Sequence, residues 1–236
     1  MKHFFSRYKS FLLFFSGLSA IILYLFFNAL TPRKILPIYQ PAEVSYELVD
    51  SSLQHIKKFH KIADFQLTNQ NGESISQRDY VNKIYIADFF FTTCPSICPI
   101  MTNNMADIQQ DILEEENIKL VSFSVTPAID SVAQLKKYAL EKGVIDAKWN
   151  LLTGDKKEIY TLARKSYFVV KEDGDGGPHD MIHTENFVLV DPEKRIRGYY
   201  DGTSKTAMDS LKQDLVILKE EYGFWSKNLI HLICEG

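Results

Sequence analysis

Residues 11–30, FLLFFSGLSAIILYLFFNAL, form a run of twenty residues without a charge. At about 1.5 Å per residue, a helix of that length spans a hydrocarbon core of roughly 30 Å, so one end of the chain suits a bilayer and the rest must fold outside it. A buried core helix fits poorly, because the run is apolar on every side and lies at the N-terminal extreme. A cleaved signal fits less well than an anchor: its apolar core is normally about 7–15 residues, and Asn28-Ala29-Leu30-Thr31-Pro32 offers a poor cleavage site. An uncleaved anchor is expected over residues 11–30, behind a short flank of residues 1–10. Lys2, Arg7 and Lys9 before the run and Arg33 and Lys34 after it leave too slight a charge bias to set orientation.

The remainder of the chain is long enough for one good-sized domain. Pro32, Pro37 and Pro41 punctuate a mostly polar stretch, so residues 31–58 read as a tether with little packing. With 27 basic residues against 30 acidic ones and no basic block, the chain lacks the electrostatic footprint of a nucleic-acid binder.

From Phe59 the pattern becomes periodic. Ile62 to Leu67 alternates, Asn71-Gly72 signals a hairpin turn, and Ser74-Ile75-Ser76 returns as a short strand. Ile84 to Phe91 is almost continuously apolar and β-prone, as befits a central strand buried on both faces. Ile100, Met101, Met105, Ile108, Ile112 and Leu113 recur at helical spacing. Next come a strand from Leu120 to Val125, a helix capped by Ser131 and stopped by Gly143, a strand from Trp149 and a helix from Asp155 to Ser166. A hairpin through Asp191-Pro192-Glu193-Lys194 and a helix from Ser204 to about Glu221 complete the domain, residues 59–223. Strands alternating with helices argue for an α/β sheet with crossover helices, in an order that fits a thioredoxin-like sandwich. Residues 224–236 form an apolar tail containing Cys234, which has no obvious partner.

Cys94 and Cys98 stand between the central strand and a helix, in Phe91-Thr92-Thr93-Cys94-Pro95-Ser96-Ile97-Cys98-Pro99. With only three cysteines in the chain, a disulfide framework is excluded. Backbone N–H groups at a helix N-terminus favour the thiolate, the form that attacks disulfides and binds metals. If the intervening residues are helical, the i, i+4 spacing puts both sulfurs on one face, where they can share one ion. Thioredoxin-type redox sites usually separate their cysteines by two residues; three favour metal chelation without excluding a redox pair. Thiolates are soft ligands for Cu(I), and an added imidazole also suits Cu(II). Met101 and Met105 read as core.

These cysteines, together with Met181-Ile182-His183-Thr184 ahead of a strand and Tyr199-Tyr200-Asp201-Gly202 after the hairpin, resemble the Sco/SenC family. Its members are membrane-tethered copper proteins that help to assemble the dinuclear copper centre of cytochrome c oxidase. The resemblance covers roughly residues 59–218 and implies a copper ion, Cu(I) or Cu(II), held by Cys94, Cys98 and His183. It further implies a single-pass protein of the bacterial inner membrane facing the periplasm, or of the mitochondrial inner membrane. The partners implied are the copper-binding subunit of cytochrome c oxidase, a copper donor protein and the membrane, with no nucleic acid. Two positions depart from the family pattern: Thr126 stands where Asp is common before Pro127, and Ile182 where Asp often precedes the histidine. His179 is a candidate auxiliary ligand. The alternative is a thiol-disulfide oxidoreductase that uses the same two cysteines to reduce a partner's copper-ligand cysteines.

Overall fold

The computed structural model describes residues 2–30, 34–41, 60–170 and 182–224. The chain divides into two units after Ile35. The first contains one helix, α1 (Lys2–Leu30). Its segment Tyr8–Phe27 is long and apolar enough to cross a membrane, and none of it is buried. Side chains such as Phe14 and Phe27 stand well exposed, a large apolar surface that lipid would cover and water would not.

The second unit is a mixed sheet of β1 (Gln66–Asn69), β2 (Ser74–Ser76), β3 (Ile84–Phe90), β4 (Ile118–Ser124), β5 (Trp149–Thr153), β6 (Asn186–Val190) and β7 (Ile196–Asp201). The strand order is β2-β1-β5-β4-β3-β6-β7. Strands β3, β4 and β5 run parallel, joined by α2 (Ile97–Asp111) and α3 (Val132–Lys142). The sheet edges are antiparallel, and α4 (Lys156–Thr161) and α5 (Lys205–Glu221) complete the layers. This is the expected thioredoxin-like sandwich.

Strand β3 lies inside the sheet between β4 and β6, with all seven of its residues buried. Ile84, Ile86 and Phe90 pack with Met101, Met105 and Leu211 on one face, while Tyr85, Ala87 and Phe89 pack with Tyr160 and Tyr167 on the other. The Asn71-Gly72 turn forms with Gly72 at φ +79°, and Gly143 stops α3 at φ +69°, left-handed conformations that glycine adopts without strain. Ser131 caps α3 by accepting from the Gln134 N–H, an interaction typically contributing about 1 kcal/mol.

Three local readings are modified. Pairing begins only at Gln66, because the Ile62 N–H is donated to Lys194 O rather than to a strand neighbour. The helix ending near Ser166 closes as a π-turn over Leu162–Ser166. The tether reading fails over residues 36–41, which are packed on the domain. Leu36 is buried, and the Tyr39 N–H donates to Ile196 O at 2.9 Å. The fully buried Arg197 donates to Pro37 O at 3.0 Å and Leu36 O at 2.8 Å while pairing with Asp191 and Glu221. Gln40 accepts from the His60 N–H at 3.0 Å. The physical reason is that Arg197, buried among apolar neighbours, needs acceptors that the sheet alone does not supply, and the strap's carbonyls provide two of them. Residues 36–41 thus form a strap that lies antiparallel against the end of the sheet where β7 begins. The cysteines lie at the opposite end, beyond the carboxyl end of β3, where ligands commonly bind in α/β sheets.

Candidate metal centre

Helix α2 begins at Ile97 with Ser96 as its N-cap, so only Cys98 is helical. Cys94 sits in the turn before it, its N–H donated to Phe91 O at 3.3 Å. This modifies the expectation that both sulfurs ride one helical face: Pro95 and the non-helical Ser96 delay the helix, and the sulfurs meet because the turn folds Cys94 over the helix N-terminus. Pro99 falls within the first turn, where its missing N–H costs nothing.

Both cysteines are free and buried, yet their thiols diverge. Burial pushes the Cys94 thiol up, but the N–H groups of Cys98 and Ser96 point at its sulfur. With the Cys98 thiol and Ser96 hydroxyl they bring it down to about 7. Burial pushes Cys98 up to about 12, against the pull of the Phe91 N–H. The pair is therefore one ready thiolate beside one held proton.

His183 is exposed, between the buried Ile182 and Thr184. Its ring meets Phe91 edge-on, centroids 5.9 Å apart at 73°. Phe91 thus connects with all three expected ligands: its carbonyl with Cys94, its N–H with Cys98 and its ring with His183. Among the described residues, no three His, Cys, Asp or Glu side chains are gathered as a ready-made metal cage. Met101 and Met105 are fully buried core residues. His60 packs at a tilt against Phe168 and bonds to Ser166 O at 2.8 Å, and burial lowers its pKa. His55, His179, His231 and Cys234 lie outside the described residues.

Two acidic residues escaped sequence reasoning. Asp88 sits in β3 on the cysteine-helix side, its carboxyl pushed up to about 7 by burial and partly restrained by the Ser122 hydroxyl that donates to it. Trp149 Nε1 donates to that same hydroxyl at 2.8 Å. The signal was present, one charge inside an apolar run. Asp130, buried beyond β4, gave none, since a carboxylate in a loop ordinarily faces water.

The family model SCO1/SenC matches residues 54–215. The chain belongs to the SCO1/SenC family. It is 33% identical over 158 residues to the SCO1 protein homolog of Bacillus subtilis, covering 66% of this chain and 81% of that protein. Among solved structures it resembles BsSco, described with a disulfide switch and as a member of the Sco family of cytochrome c oxidase assembly proteins (TM-score 0.58, 31% identity, 67% of this chain and 93% of that one). It also resembles Arabidopsis thaliana ScoI with copper bound (TM-score 0.55, 29% identity, 68% and 98%). The cysteine turn and His183 both lie within the span matched by the Sco family model.

Proposed function

We propose that this Sco protein is a membrane-anchored copper chaperone that assists assembly of the dinuclear copper centre of cytochrome c oxidase. Copper is its cargo, held by Cys94, Cys98 and His183. The observation that carries the reading is the free cysteine pair at the head of α2 with His183 against the Phe91 beside it. The donor set fits copper: two soft thiolates satisfy Cu(I), and an imidazole extends the set to Cu(II). Cys94 supplies the first thiolate near neutral pH, and Cys98 surrenders its proton as metal enters, so loading releases protons. Three protein ligands leave room for a fourth from a partner, as transfer between proteins requires. The recipient is the copper-binding subunit of cytochrome c oxidase, and a donor protein loads the site.

Helix α1 is a single-pass anchor, and the domain faces the periplasm, or the intermembrane space if the host is eukaryotic. The test is copper stoichiometry in the reduced protein: one ion per chain, lost in Cys94→Ser and Cys98→Ser.

The split between the thiols favours one second reading, a thiol-disulfide oxidoreductase. The Cys94 thiolate attacks a partner disulfide, one partner sulfur leaves as thiolate, and Cys98, losing its proton, displaces the other. Cys94 and Cys98 end as a disulfide and the partner as a dithiol. Stoichiometric disulfide reduction without copper binding would select this reading.

A further inference from the structure

The loop that carries the cysteines hangs from one buried carboxylate. Asp130 is 0% exposed. Its oxygens accept from Thr92 Oγ1 at 2.5 Å, the Thr92 N–H at 3.3 Å, Ser124 Oγ at 2.5 Å and Thr126 Oγ1 at 3.0 Å. All four donors are hydroxyls or an amide, and a carboxylate in such a place depends on them for its stability. Thr126, just after β4, supplies one of the three hydroxyls. A hydroxyl there donates to Asp130, where a second carboxylate would repel it.

The Thr92 N–H and the Phe91 carbonyl belong to one planar peptide unit. Asp130 grips that plane at its N–H, while the Cys94 N–H binds its carbonyl at 3.3 Å. Turning the plane at one end therefore displaces what is bound at the other. The Thr92 side chain is held twice, donating to Asp130 and accepting from Gln134 Nε2 at 3.0 Å on α3. On the preceding residue, the Phe91 N–H acts on the Cys98 sulfur and the ring abuts His183.

We infer that Asp130 is a positioning residue for the metal centre, setting the placement of Cys94, Cys98 and His183 through the Phe91–Thr92 peptide. The inference rests on the ligand set proposed above, since Asp130 itself touches none of the three.

The test uses the full-length reduced protein in detergent, comparing wild type with Asp130→Asn and Thr92→Val. Tyr160→Phe, which removes a buried hydroxyl bond to Val125 O, serves as a control for general destabilisation. Copper affinity, the Cu(II)–thiolate absorption spectrum and, without metal, the alkylation rate of Cys94 are measured beside the melting temperature. Asp130→Asn should weaken copper by about tenfold, the usual scale for a group that orients ligands. It should also shift the Cu(II) spectrum and slow Cys94 alkylation at pH 7 several-fold, because the Ser96 and Cys98 N–H groups lose their aim. Thr92→Val should move all three the same way by less, and Tyr160→Phe should lower only the melting temperature. Wild-type affinity, spectrum and alkylation in both site variants would overturn the inference, however far they melt. If Asp130→Asn does not fold, Thr92→Val decides by the same readouts. If wild type binds no copper, the ligand reading fails separately, and the metal-free alkylation rates still decide whether Asp130 positions Cys94.

Discussion

Thiolates rather than thiols attack iodoacetamide, displacing iodide, so a pH series on the reduced, metal-free protein reads the two cysteines separately. Cys94 is brought to about 7 from an ordinary 9.0. At pH 7 it is then about half ionised against about one per cent for an unperturbed thiol, a gain of about fiftyfold in thiolate. A less basic sulfur is also a weaker nucleophile: with a Brønsted slope of about 0.45, two units cost about eightfold, leaving a net advantage of about sixfold at pH 7. By pH 9 the order reverses, because an ordinary thiol is half ionised and intrinsically more reactive, and Cys94 should be about fourfold slower. Cys98, pushed up to about 12, should barely react across this range. Peptide mass spectrometry after timed quenching assigns each rate. A Cys94 inflection near pH 9, or equal rates at the two sites, would refute the claim that the turn's N–H groups stabilise its thiolate. The same lowered folded pKa adds stability that is present above the ordinary thiol range and lost as pH falls through about 7.

Arg197→Met should leave the carbonyls of Leu36 and Pro37 and the Glu221 carboxylate without this donor, while Asp191 keeps Arg195, costing about 1–3 kcal/mol in urea denaturation and opening residues 36–41 to limited proteolysis; an unchanged midpoint would contradict the clamp. His183→Ala should weaken Cu(II) strongly and Cu(I) less, because two thiolates satisfy Cu(I) alone; equal losses in spectroscopic titration would argue against a preferential Cu(II) ligand role. Full-length protein should resist carbonate extraction from membranes and retain residues 11–30, whereas a mature terminus near Leu30 would show cleavage.

Local features were the legible part of the sequence. The apolar run of β3 announced a strand buried on both faces, and the cysteines declared themselves at the strand-to-helix turn because proline-flanked thiols make poor core filler. The turn itself was misread in detail, because i, i+4 spacing describes a helix and Ser96 is not helical. The strap was illegible. Its prolines suggested a loose tether, while the acceptor need of Arg197, 161 positions from Leu36, exists only once β7 is folded. Asp130 reaches Thr92 across 38 positions, and nothing in the loop sequence around it distinguishes a buried carboxylate from a solvated one.

Copper counted on the reduced full-length protein after exhaustive dialysis against a competing chelator tests the central claim most directly. The account predicts one ion per chain in wild type and none retained in the Cys94→Ser, Cys98→Ser double variant. Chelator-resistant stoichiometric copper in that variant, or no copper in a wild type that still reduces disulfides, would contradict it.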